Sequence, residues 1–206
     1  MSKEAVIFGY SGHAYVVLEI LMSIDYHLVG YSDNELKEND PFKLQYLGSD
    51  STVFEKLEGY SAFLGIGNNY TRAKLFKKLV NNKINCPSAV HEKSFVSQFA
   101  DIGNGTTVMA GVVINALAQI GNAVICNSSC VIEHECKIGN YAHIGPGAVL
   151  AGNVTVGENS FVGANAVIKQ GVTIGSNVII GAGSVVVKDV ANGLTIYGNP
   201  ARETKI

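Results

Sequence analysis

Of the five histidines in the chain, one carries a carboxylate on either side: Glu133-His134-Glu135. An imidazole titrates near neutral pH, and an adjacent carboxylate favours the imidazolium that forms when it takes a proton. His134 therefore reads as a general base supported by Glu135, against the alternative of an ordinary surface histidine. His143 follows at a repeat-related position. It is suited to donating to an acyl oxygen, and equally to packing in an interface. His13 belongs to the loop Ser11-Gly12-His13, a place for substrate contact; His27 and His91 have no motif around them and read as structural. Cys86, Cys126, Cys130 and Cys136 form no CxxC pair, and no histidine stands at ligand spacing from two of them. No metal is expected, and the thiols are expected reduced, as in a cytosolic compartment.

A repeat sets how these groups are held. Stepping by six from Ile102 through Val108, Ile114, Ile120, Cys126 and Ile132 to Val186 meets only aliphatic residues or Cys. With 47% apolar residues, such a run arises by chance on the order of once in 100,000 frames. Four residues after each lies a second column, Thr106 through Cys130, Cys136 and Ser160 to Val190, in which every member is small or β-branched. Glycine often follows the first column, as at Gly103, Gly121 and Gly139, and is expected to free the backbone at the corners. Two inward side chains at period two, then a tight turn, describe a short strand. Three such units close an 18-residue coil, and coils stack about 4.8 Å apart. The run is uninterrupted from about Val90 to Val190, so no long loop leaves the prism.

The outward residues sort into three faces. One reads Val113, Val131, Val149, Val167, Val185; a second reads Asp101, Gln119, Lys137, Thr155, Thr173; a third reads Thr107, Ile125, His143, Phe161, Ile179. The second face suits water. An all-valine stripe marks an interface. His134 and Glu135 fall at the corner between the first two faces and point outward, with Ala116 and Gly152 stacked on either side of His134.

The first third reads differently. Residues 4–8, 27–31 and 60–66 form strand-like runs, the first and third followed by helical stretches through about Ser23 and over 70–81. This alternation predicts a small parallel α/β, Rossmann-like domain over 1–85, ahead of the prism over 86–206. Its ligand crevice is expected at the strands' carboxyl ends, where Gly9 to His13, Asp33-Asn34 and Gly67-Asn68-Asn69 lie. Gly9-x-x-Gly12 is not a full dinucleotide fingerprint, and the domain is too short for a nicotinamide half. A nucleotide-linked ligand with phosphates at the first helix fits better. The cationic residues of 72–83, Arg72 among them, read as the solvated face of a helix.

Composition excludes other classes. The net charge of −2 leaves no footprint for nucleic acid. No apolar run approaches the roughly 18 residues that span a bilayer, and the N-terminus lacks signal-peptide anatomy. A cytoplasmic protein is expected.

The prism spacing resembles the left-handed parallel β-helix of hexapeptide-repeat acyltransferases. More specifically, Gly9-Tyr-Ser-Gly-His13, Ser32-Asp33-Asn34, Gly65-Ile-Gly-Asn-Asn69, Glu133 to Gly139, Ala151-Gly-Asn153 and Gly198 to Arg202 resemble bacterial nucleotide-sugar N-acetyltransferases acting on 4-amino-4,6-dideoxy sugars. Their sialic acid O-acetyltransferase relatives are also similar. The resemblance implies a homotrimer using acetyl-CoA and a nucleotide-linked amino sugar, with His134 as base and Glu135 raising its basicity. It places His143, Gly152, Ala164 and Ala182 against acetyl-CoA. The sugar nucleotide falls to Ser11, Gly12, His13, Asp33, Asn34, Gly67, Asn68 and Asn69. One departure is Asp33-Asn34, where the family has an Asp-Asp pair associated with uracil, so the base stays open. Sugar O-acetylation, a non-catalytic sugar-nucleotide-binding protein and a nucleotide-dependent oxidoreductase are the alternatives; the His134-Glu135 pair argues against the second and the short first domain against the third.

Overall fold

The computed structural model describes residues 3–54 and 57–203. The chain opens with β1 (Lys3–Phe8), α1 (Gly12–Ser23), β2 (Tyr26–Ser32), β3 (Gln45–Tyr46), α2 (Asp50–Val53), β4 (Ser61–Leu64) and α3 (Asn69–Asn81). The four strands form one parallel sheet in the order β3-β2-β1-β4. β1 is central, and Ala5 to Phe8 are wholly buried, as a strand covered on both faces requires. α1 packs Ala14, Val17, Leu18 and Leu21 inward. α3 starts where the side chain of Asn68 accepts the Thr71 N–H at 3.0 Å, which satisfies one of the helix's free N–H groups.

From Ala89 the chain winds into a parallel β-helix of two-residue strands; the parallel pairing continues through a bridge between Ile174 and Val190 to Ile180 with Ile196, and an antiparallel strand, Ala201–Glu203, closes it. Three sheets form its walls. Between Ala89 and Val186 each pair joins residues eighteen apart, as in Val113–Val131–Val149, Asp101–Gln119–Lys137 and Ile125–His143–Phe161. The six-residue period thus corresponds to one wall and the 18-residue period to one coil. Both inward columns are buried except Ile102, which is half-buried. The polar members of the second column bond back to the coil: Thr106 Oγ1 donates to the Gly121 carbonyl at 2.8 Å and Ser160 Oγ to that of Gly175 at 2.7 Å.

The role expected of Gly103, Gly121 and Gly139 needs correction. The left-handed backbone falls two residues further on, at Gly105, Ala123 and Tyr141, with φ of 69°, 49° and 62°. Gly103 is required by close approach instead: a Cβ there would meet the Gly121 backbone at 2.6 Å. Successive coils touch main chain to main chain at this point.

The first domain covers one wall and one corner of the prism. Ile125, on the third face, is completely buried in a cluster that includes Ala14, Val17 and Leu21. α3 runs along the adjoining corner. Phe76 lies against Gly105, where a Cβ would come within 2.8 Å of its ring, and Asn69 Nδ2 donates to the Asn159 and Ser160 carbonyls at 2.9 and 3.2 Å.

Candidate active site

His134 sits where the chain turns from the strand Val131–Ile132 to Lys137–Ile138, the corner between the valine and polar walls. Glu135 takes φ of 62° there. This turn swings both side chains outward, leaving them about half exposed at 52% and 58%. Nδ1 of His134 lies 3.0 Å from Oε2 of Glu135. A carboxylate on Nδ1 leaves Nε2 as the basic nitrogen. The ring stacks over Gly152, whose missing side chain is the space it occupies. Beside it, Asn115 Nδ2 donates to Glu133 Oε2 at 3.0 Å.

A second group gathers on the third wall. A cavity of about 530 Å³ is lined by Gly67, Asn68, Asn69 and Tyr70 from the first domain and by His143, Asn159, Phe161, Asn177 and Ile179 from the prism. The Nε2 of His143 is 3.0 Å from Asn127 Nδ2. The amide of Asn127 is oriented by the Ser128 N–H, which donates to its Oδ1 at 2.8 Å. His143 therefore accepts at Nε2, and its other nitrogen faces the Gly67 carbonyl. Phe161 packs edge-on against the ring at 5.0 Å. Burial, then the charge of Arg72 and then His13, push the His143 imidazolium down to about 3. Burial and then Arg72 push His13 down to about 4. Both rings are neutral at physiological pH. Two buried polar atoms here have no protein partner, Nε2 of His13 and Oδ1 of Asn159; unpaired groups beside a cavity are the ones a ligand satisfies.

Two family models match. The PglD N-terminal domain covers residues 4–79, and the bacterial transferase hexapeptide (six repeats) covers 117–152 and 153–188. The structure superimposes on PerB from Caulobacter crescentus, solved in complex with CoA and GDP-perosamine, with a TM-score of 0.93, 35% identity, and coverage of 100% of this chain and 98% of that one. The chain belongs to the hexapeptide-repeat nucleotide-sugar N-acetyltransferases. The acetyltransferase domain of PglB from Neisseria gonorrhoeae FA1090, in complex with acetyl coenzyme A, superimposes at a TM-score of 0.94 with 30% identity over 99% of this chain and 100% of that one. The UDP-N-acetylbacillosamine N-acetyltransferase of Bacillus subtilis (strain 168) is 34% identical over 112 residues, which is 52% of each chain. The chain thus aligns with about half the length of that curated relative. The hexapeptide match makes the prism a left-handed β-helix.

Within this acetyltransferase the residues singled out by sequence fall into separate groups. His13, Gly67 and His143 come together, with Asn68 and Asn69 on the cavity wall. His134, Glu135 and Gly152 share the valine–polar corner, which lies opposite the wall carrying His143. Ala164 and Ala182 stand one coil apart on a single column along the later coils, with Ala164 half-buried and Ala182 exposed. Ser11 is the extended residue before α1, and Gly12 opens the helix. Asp33 is engaged by the protein: its carboxylate accepts the Tyr10 and Asn34 N–H groups at 2.9 and 2.7 Å and pairs with Lys37 at 3.3 Å. Asn34 lines a neighbouring pocket with Ser49, Thr71, Lys74 and Lys78. Asn68 caps α3, and Asn69 also accepts from Arg72 at 3.0 Å. Arg72 overturns the reading of residues 72–83 as a wholly solvated face, because it is 1% exposed. Sequence reasoning also passed over Asn127 and Asn159. An asparagine at a prism corner is indistinguishable in sequence from the turn residues around it.

Proposed function

We propose that the protein transfers the acetyl group of acetyl-CoA to the amine of a nucleotide-linked 4-amino-4,6-dideoxy sugar, acting in the cytoplasm as a homotrimer. The observation that carries this reading is the His134–Glu135 pair at 3.0 Å on an exposed corner, with Nε2 left for a substrate. The amine nitrogen attacks the thioester carbonyl as Nε2 of His134 takes its proton. The carbonyl electrons move onto oxygen and return as the C–S bond breaks. The sulfur leaves as CoA and recovers a proton from His134. Glu135 supports the imidazolium in between. The relatives' complexes with CoA, acetyl coenzyme A and GDP-perosamine support the pair of substrates.

The His143 cavity and the base lie on opposite sides of one prism, so a complete site takes His134 from one chain and the His143 cavity from another. The valine stripe supplies the contact. It begins with Phe95, 59% exposed, and continues through Val113, Val131, Val149, Val167 and Val185. Acetyl-CoA would reach His143 and follow the later coils past Gly152, Ala164 and Ala182. The sugar nucleotide would lie across Ser11 to His13, Asp33-Asn34 and Gly67 to Asn69, in the domain proposed to span 1–85. With Asp33 already satisfied, Asn34 is the freer group for reading the base.

The test is a steady-state comparison of UDP- and GDP-linked 4-amino sugars, their 4-hydroxy analogues and free sialic acid, each with acetyl-CoA. The 4-amino compounds should turn over fastest. Faster acetylation of sialic acid or of a 4-hydroxy sugar would overturn the acceptor.

A further inference from the structure

Arg72 lies in the second turn of α3, and every acceptor it meets is uncharged. Its Nε donates to the Ala123 carbonyl at 2.8 Å; Nη1 donates to those of Gly67 and Ile66 at 2.9 and 3.2 Å; Nη2 donates to the Tyr141 and Ala142 carbonyls at 2.8 and 3.3 Å and to Asn69 Oδ1 at 3.0 Å. These acceptors come from two successive coils of the prism and from the loop that lines the cavity. We infer that Arg72 is a positioning residue for the proposed acetyl transfer, holding the Gly67 carbonyl and the prism corner so that His143 is fixed in one tautomer on the cavity wall.

The geometry explains why the residue is arginine. From Arg72 to Asn69 the helix rises about 4.5 Å, close to the step of about 4.8 Å between coils. The two side chains therefore grip neighbouring coils. A planar fork with five N–H groups can reach carbonyls in several directions, whereas a lysine offers three donors at one point. The Gly67 carbonyl is the link to the site, since it faces both Nη1 of Arg72 and the ring of His143.

Charge acts in the same direction. Burial lowers the Arg72 guanidinium to about 9, so it is still cationic at neutral pH. It is the charged group bearing on both His13 and His143, and His13 also bears on His143; the Gly67 carbonyl alone works the other way, favouring a protonated His143. A cation in a dry interface opposes a second positive charge nearby. An amine entering the cavity would be held unprotonated for the same reason, and that is the form able to attack a thioester.

A plain domain staple would use the same hydrogen bonds, so the test reads the histidines directly. In the intact protein labelled with 15N-histidine, His143 should be neutral, protonated away from Nε2, down to pH 5. Arg72→Met should raise the titrations of His13 and His143 by about one pH unit and shift the acid limb of kcat/KM. Phe76→Leu loosens the same helix–prism contact without altering charge and should leave both titrations in place. Arg72→Lys should keep the rings neutral yet lower kcat by about tenfold, because the carbonyl bracket is lost. Wild-type His143 protonated on Nε2 would overturn the inference without any variant having to fold, as would unchanged titrations in Arg72→Met. The inference rests on the reaction proposed above, and the two fail separately: the expected titrations without acetyl transfer to any amino sugar would refute the reaction alone.

Discussion

A Cβ added at Gly152 would stand 2.5 Å from Cε1 and 2.6 Å from Nε2 of His134. The backbone at Gly152 is not in the left-handed region, so alanine fits the main chain and the conflict is with the imidazole alone. Because His134 is half exposed, its ring can swing away with little loss of stability. Gly152→Ala is therefore expected to leave the thermal midpoint within about 2 °C, a change of a few tenths of a kcal/mol, while kcat falls on the order of 100-fold from misplacement of the proposed base. Full activity with the substitution in place would show that the observed ring position is not the reactive one.

His134→Ala should lower kcat by about 10²- to 10⁴-fold, the usual contribution of a general base, with a smaller change in KM for acetyl-CoA. Glu135→Gln should do less, since it preserves the turn and removes only charge support. The exposed pair itself adds little to folding, so urea unfolding of both variants should resemble wild type. A kcat for His134→Ala within about threefold of wild type would reassign the base.

Neutral burial of His13 and His143 makes stability depend on pH. Their ordinary value of 6.5 falls to about 4 and about 3 in the folded chain. Between those limits the unfolded state binds more protons, so stability drops as pH falls below about 6.5 and rises as pH increases towards neutrality. A loss of a few kcal/mol between pH 7 and pH 4 is expected from the two rings. Urea titrations of His143→Asn against wild type should show a flatter slope in this window. Identical slopes would mean that His143 ionises in the folded protein.

Mixing His134→Ala chains with His143→Ala chains tests the division of the site. If one site takes its base from one chain and its cavity from a neighbour, mixed trimers contain some intact sites and regain activity that neither parent has. Mixtures that stay inactive after subunit exchange, followed by mass spectrometry, would place the whole site within a chain. Val149→Lys with Val167→Lys should prevent assembly altogether by placing charges in a desolvated contact. Sedimentation of the wild type as a monomer at micromolar concentration would remove the valine face from the argument.

Asn69→Ala removes a side chain that bonds two prism carbonyls and the buried Arg72. Such groups lose about 1–3 kcal/mol each when left unpaired, so the midpoint of unfolding should fall measurably and first-domain amides should exchange faster. A cooperative transition unchanged from wild type would show that α3 docks through Phe76 and its apolar neighbours alone.

The amino-acid sequence by itself determined the prism. A strict period of six fits only a strand-and-turn coil, because alternation in a strand places residues two apart on the same side and the apolar member of each step must be buried. The same arithmetic put His134 and Glu135 at an outward corner, sorted the three walls and exposed the valine stripe. It also located the strand-end loops of the first domain, because strands alternating with helices leave few topologies.

Only the tertiary structure decided what those loops and that corner meet. Arg72 lies in a charged stretch that reads as solvated, yet it is buried because carbonyls from another domain replace water, and local patterning carries no information about a partner fifty residues away. His143 reads as a possible donor in isolation; the Asn127 amide occupies its Nε2 and the Gly67 carbonyl lies on its other side. Asp33 reads as a ligand contact, and the turn at Tyr10 and Asn34 claims its carboxylate. The separation of His134 from the cavity is likewise a property of the closed prism, since a corner and the wall opposite it are neighbours in sequence and far apart across the core.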